Sequence, residues 1–276
     1  MDSDHDGRDP RRPQALFDTP NSVVWRIPQA GPQHAAILGG YALLLAQAES
    51  VFPVGHQGVP GADPIEDWEL AGPAFIARMA DTLRGLTMLV PTESRLDGVA
   101  LARTLAEHAI TYAWIAADPP GRYPRFVRSS YSRVLDQDKE AKQAGVGPVL
   151  TDDSATAYRA FVRTHRDGIR GLPRLAAEAD AHWVRRVEDA HGGESGYPSL
   201  SLIYDRIYDT FASLDHASVP ALRRYVHVHR AAPVASITGA EVDGEEADTR
   251  LRPYRTATWV FAWALTVSSL TTGAPD

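Results

Sequence analysis

Arg103 and Glu107 stand four residues apart in a long helical stretch, Leu96 to Ile115. At about 100° per residue they share the face that carries Leu96, Val99, Ile110 and Trp114. A charge on an apolar helix face costs stability unless it finds partners. Three readings follow: an ion pair that fixes helix packing, a binding or catalytic pair, or an exposed pair. In the exposed case the pair is worth roughly 0.2–0.5 kcal/mol. If it is buried, loss of one partner costs about 3–5 kcal/mol.

His108 follows directly, so the helix also reads Arg103-x4-His108. The spacing resembles the Arg-x4–6-His motif of the HEPN ribonucleases, all-α nucleases in which two subunits pool the Arg and the His at a cleft. That resemblance implies Arg103 on a scissile phosphate and His108 handling protons near neutral pH, without metal. On an ideal helix the two side chains point about 140° apart. A histidine packed beside Leu101 and Tyr112 is the competing reading.

A second constellation lies on the stretch Ser199–Leu214. Leu200, Ile203, Ile207, Phe211 and Leu214 form its apolar stripe, with Tyr204 and Tyr208 at the edge. Asp205, Asp209 and His216 share the opposite face, which suits either a carboxylate–histidine site or a solvated surface. Glu178-x3-His182 also shares one helix face, but two ligands do not make a metal site. A dinuclear centre in a bundle needs Glu-x-x-His on two helices, which this chain lacks. No metal and no cofactor are expected. No glycine-rich phosphate loop, G-x-S-x-G elbow or nucleotide fingerprint occurs.

Charge is unevenly spread. From Arg122 to Arg186 there are 11 Arg and 2 Lys against 8 acidic residues, a balance of +5, while the whole chain carries -7. Arg122, Arg125 and Arg128 recur every third residue near Tyr123 and Tyr131. They make either a phosphate-contacting ridge or a solvated helix face. The only lysines are Lys139 and Lys142, and the Arg-, Ala-, Gly- and Pro-rich usage is like that of GC-rich bacterial genomes.

The elements that must position these groups are helical. The 276 residues allow a substantial core, and 44% apolar with 23% charged residues is ordinary for a globular chain. With no cysteine, disulfides, thiolate metal sites and cysteine nucleophiles are excluded. Residues 1–31, broken by Pro10, Pro13, Pro20 and Pro28, read as an irregular arm with one short apolar piece at Val23–Ile27.

Thereafter the period is that of helices over His34–Val51, Glu66–Leu89 with a kink or break at Pro73, and 96–117. The third is capped by Thr92 or Ser94 and stopped at Asp118-Pro119-Pro120-Gly121. Further helices are expected over Arg122–Ala144, Asp152–Asp167, Leu172–Ala190, Ser199–Leu214, Val219–His229 and Arg252–Leu270. Only Val226–His229 and Pro233–Ile237 alternate weakly with period 2. The fold expected over residues 32–276 is an all-α, single-domain bundle of about eight helices. Its central member is the 96–115 helix, apolar on two sides.

Thr256–Leu270 is the most apolar stretch, yet it is short for a span and carries five hydroxyl residues. A buried core helix is expected there, with no membrane partner. The charged segment Met1–Pro13 has no apolar core, so no secretory signal is expected and the cytoplasm is the expected location.

Taken together, Arg103-x3-Glu107 on a central helix and the later Tyr204-x3-Tyr208-x4-Ser213-x2-His216 resemble a family of uncharacterised bacterial all-helical proteins, a domain of unknown function. The similarity spans about residues 70–230. It implies that Arg103, Glu107, Ser213 and His216 meet in one interior polar cluster, supported by Tyr204 and Tyr208. Asp215 directly before His216, and the long arm, depart from that pattern. The function so implied is a ligand- or partner-binding module, or a structural one. The alternative is the ribonuclease using Arg103 and His108. A second copy of the chain is a candidate partner, through Phe17–Ile27; nucleic acid is the less favoured one.

Overall fold

The computed structural model describes residues 31–51, 68–92, 95–190, 198–215, 226–228, 235–237 and 247–272. Among them eight α-helices form: α1 (Pro32–Val51), α2 (Trp68–Leu89), α3 (Arg95–Ala116), α4 (Pro119–Gln143), α5 (Asp152–Thr164), α6 (Leu172–Ala190), α7 (Leu200–Asp215) and α8 (Ala247–Thr272). A 3-10 turn, Val90–Thr92, follows α2. The fold is all-α.

Its one departure among the described residues is a short antiparallel ribbon, β1 (Val226–Val228) with β2 (Ala235–Ile237), Val226 facing Ile237 in register. This corrects the helix expected over Val219–His229 at its C-terminal end. There the weak alternation and the β-branched Val226 and Val228 prevail over the helical period. Residues 1–30 of the arm expected over 1–31, and the proposed cap at Ser94, lie outside the described residues.

The central position of α3 comes from its composition. Small residues (Ala102, Ala106, Ala109, Ala113) let neighbours approach, and Val99, Leu105, Ile110, Tyr112, Trp114 and Ile115 bury side chains on more than one face. It packs against α2, α4, α6, α7 and α8. The apolar stretch in α8 is likewise a core element: Tyr254, Ala257, Val260, Phe261, Ala264 and Val267 are buried. Among the described residues no helix is long and apolar enough to cross a membrane.

Buried aromatic side chains lock the layers through their polar tips, as such side chains do when an apolar body is buried. The Tyr41 hydroxyl of α1 donates to the Tyr254 carbonyl at 2.7 Å, and the Tyr254 hydroxyl donates to the Leu89 carbonyl at 3.2 Å. Trp183 Nε1 donates to the Ala113 carbonyl at 2.7 Å, and Trp263 Nε1 to the Pro198 carbonyl at 3.0 Å. Truncating one such residue costs roughly 3–5 kcal/mol.

Several helix boundaries follow from capping. Asp118-Pro119-Pro120 does stop α3, but it also begins α4. The Asp118 side chain accepts from Gly121 N at 3.3 Å, and prolines in the first turn give up only donors that no helix bond uses. Pro73 does not break α2, because it sits in the second turn and removes a single backbone bond. Asp180 of α6 caps α7 from outside. Its carboxylate accepts from Leu200 N at 2.7 Å, Ser201 N at 2.9 Å and the Ser201 hydroxyl at 2.6 Å.

Candidate functional site

A cleft of about 860 Å³ opens between α2, α3, α4 and the start of α6. Its apolar wall is made by residues one or two turns apart. Ala71, Ala74 and Phe75 line it from α2, Tyr123 and Phe126 from α4, and Leu172 and Leu175 from α6. Phe75 and Phe126 pack with ring centres 5.3 Å apart, and Tyr123 stacks on Phe126 at 6.0 Å. Trp68 and Tyr112 back this wall, 5.6 Å from each other.

The polar lining comes from four elements. Arg78 continues the Phe75 face of α2, and Glu107, His108 and Thr111 come from α3. Ser129, Ser130 and Arg133 continue the Tyr123–Phe126 stripe of α4, and Arg170 comes from the connection into α6. Arg78, Arg133 and Arg170 are exposed, and none of the three forms an ion pair among the described residues.

His108 is half-buried, with its ring 6.5 Å from Phe75 in an edge-on arrangement. Its Nδ1 lies 2.8 Å from the Thr104 carbonyl oxygen. A carbonyl can only accept, so Nδ1 carries the proton and Nε2 carries the lone pair of the neutral ring. Burial pushes the His108 pKa below its ordinary value. Arg78 pushes the same way, against the Thr104 bond and Glu107.

Glu107 lines the cleft, and Arg103 Nε donates to its Oε1 at 3.2 Å. The pair is not interior: side-chain exposure is 22% for Arg103 and 43% for Glu107, although Val99, Ile110 and Trp114 beside it are fully buried. The long guanidinium and carboxylate stems carry their charges from the apolar face out to its rim. Arg103 itself does not line the cleft.

Of the other residues expected at a site, Tyr204 is half-buried and packs against the core. His216, and the side chains of Tyr208, Asp209 and Ser213, lie outside the described residues. Asp205 is exposed. Glu178 accepts from Trp114 Nε1 at 2.8 Å and from Arg174 Nε at 3.0 Å, and these two bonds hold its carboxyl below the usual range. It belongs to a tie between α3 and α6. Among the described residues no three potential metal ligands converge.

The arginine ridge of α4 turns inward rather than presenting a row of guanidiniums to phosphates. Arg122 Nη1 donates to the Trp114 carbonyl at 2.7 Å, Arg125 Nη2 to the Gly168 carbonyl at 3.3 Å, and Arg128 Nε to the His165 carbonyl at 2.7 Å. Arg122 and Arg125 also lie over the Trp114 ring, 5.2 and 5.3 Å from its centre. The Arg125 and Arg128 bonds, together with Ile169 N donating to Ser129 Oγ at 2.8 Å, hold the α5–α6 connection against α4. They thereby set where Arg170 stands.

Arg78, Arg133 and Arg170 were not singled out from the sequence. A local signal exists for two of them. Phe75-x2-Arg78 and Phe126-x6-Arg133 each place an arginine on the helix face of an aromatic residue. Arg170 has no such signal, because a loop rather than a period places it. Comparison with protein-family models, with curated proteins and with solved structures finds no match to this chain.

Proposed function

We propose that this protein is a small-ligand-binding module whose site is the cleft between α2, α3, α4 and the start of α6. One observation carries this reading: an aromatic wall and a set of convergent polar side chains, His108 among them, share a single concavity. Ligand sites have that composition, a mostly apolar cavity with a few placed polar groups. The volume, about 860 Å³, falls in the range of such sites. The Arg103–Glu107 pair at the rim then acts as a positioning pair, holding Glu107 in place along the cleft.

The test is a thermal-shift screen of chemically diverse small molecules on the wild type and on Ala74→Trp. Ala74 is an exposed lining residue, so tryptophan there fills the cleft without disturbing the core. Compounds that raise the melting temperature of the wild type should fail to do so in the variant. Shifts that persist in Ala74→Trp would place the site elsewhere.

The metal-independent ribonuclease has one observation in its favour: His108, with the lone pair of its neutral ring on Nε2, lines a cleft that also holds Arg78. Against it, the guanidinium of Arg103 is engaged by Glu107 and stands outside the lining. Single-stranded RNA incubated with wild type and His108→Ala decides. Cleavage that vanishes in the variant supports the nuclease, and cleavage that is absent or persists removes it.

A further inference from the structure

We propose that the cleft selects an organic oxyanion, a phosphate monoester or a carboxylate carried on a flat aromatic body. Arg78, Arg133 and Arg170 would hold its charged end, and Phe75, Tyr123 and Phe126 its body. This rests on the ligand-binding reading above and names the chemistry of the ligand.

The argument begins with charge. The chain is acidic overall, at -7, and most of the arginines near this region are engaged. Arg174 meets a carboxylate, and Arg122, Arg125 and Arg128 meet backbone carbonyls. The three that line the cleft form no ion pair among the described residues. The one acid of the lining among the described residues, Glu107, is engaged from outside by Arg103. The described residues of the cleft therefore carry a surplus of positive charge, and like charges gathered in one concavity repel until an anion neutralises them. Planar guanidinium forks pair bidentately with two oxygens of a carboxylate or a phosphate.

Position points the same way. Arg170 is carried on a connection that Arg125, Arg128 and Ser129 bind to α4, so its placement does not have to be won when ligand arrives. The Ser129 oxygen accepts from Ile169 N, which leaves its O–H to donate to an anion. The aromatic wall offers faces and edges on which a flat ring packs, and an aliphatic chain would use neither.

Titration calorimetry with four probes tests this: 1-naphthyl phosphate, 2-naphthoate, neutral 2-naphthalenemethanol and inorganic phosphate. The two aromatic anions should bind, with the neutral alcohol and inorganic phosphate each at least about tenfold weaker. The ratio of the two aromatic anions tells phosphate from carboxylate. Arg133→Ala and Arg170→Ala remove exposed side chains and leave folding intact. Each should weaken anion binding about tenfold and reduce its salt dependence, while Arg84→Ala, outside the cleft, should not. Neutral alcohol binding as tightly as the anions, in a manner abolished by Ala74→Trp, would overturn the anion assignment and leave the cleft reading intact. Unchanged affinity in both arginine variants, or no binding by any probe, would also overturn it. The cleft reading would then rest on its own screen.

Discussion

An alanine at position 98 would place its Cβ 2.8 Å from Cζ and 2.9 Å from the hydroxyl oxygen of Tyr254. Gly98 sits in the first turns of α3, where α8 crosses it, and the Tyr254 ring is fully buried. The ring is held at both ends of its residue: its hydroxyl donates to the Leu89 carbonyl, and its own carbonyl accepts from Tyr41. It cannot swing away without breaking the first of these bonds. Overpacking costs about 1–3 kcal/mol, and loss of the hydroxyl bond adds about 1 kcal/mol. Against this, replacing a helical glycine by alanine returns about 1 kcal/mol of backbone entropy. The net expectation for Gly98→Ala is a loss of about 1–3 kcal/mol.

Gly39 supplies the internal control. It lies on the exposed face of α1, and a Cβ there meets nothing within 4 Å. Gly39→Ala should therefore gain about 0.5–1 kcal/mol from helix propensity alone. Urea unfolding followed by far-ultraviolet circular dichroism reads both changes as opposite shifts of midpoint at constant slope. Gly98→Ala with Tyr254→Leu should cost less than the sum of the single changes, because the contact is shared. A Gly98→Ala variant as stable as Gly39→Ala would refute the close approach of α3 and α8 on which this rests.

The half-exposed Arg103–Glu107 pair leads to a small effect: Glu107→Ala should cost less than about 1 kcal/mol, well short of the loss expected for a buried pair, and a thermal melt reads the difference. Asp180→Ala removes the carboxylate that accepts three hydrogen bonds at the start of α7, and should cost about 1–2 kcal/mol in the same melt. Stability should also fall on acidification. The His108 and His182 pKa values are depressed in the fold, so the unfolded chain binds more protons between the ordinary histidine value of about 6.5 and the depressed ones. The contribution is complete above about 6.5 and is lost as pH falls through that window. Unfolding midpoints measured from pH 7.5 to 5 should decline less in His108→Gln, and an unchanged slope would contradict the burial of His108.

What could be read from the chain was local. The helical periods placed α1 through α7 close to their observed bounds, because an amphipathic helix is encoded by neighbours three and four residues apart. The central role of α3 and the burial of the apolar stretch in α8 were legible for a related reason: helices apolar on more than one side must be enclosed. Capping chemistry moved some boundaries, as at Pro119, and the β1–β2 ribbon prevailed where the helical period was weak.

The site belonged to the other category. Arg103 and Glu107 lay on the apolar face as the period requires, yet only packing decided that their charges end at a rim rather than in the interior. The α4 arginines were visible as a row, but their partners are carbonyls of Trp114, His165 and Gly168 brought close by the tertiary fold. Arg78, Arg133 and Arg170 come from two helices and a loop. Their convergence depends on how those helices cross and on where one connection is bound down, and no periodicity carries that information. The sequence by itself determined most of the helical segments and the apolar faces they bury, since both follow from short-range spacing. The tertiary structure alone decided which charges share a cleft, since that depends on contacts between residues far apart in the chain.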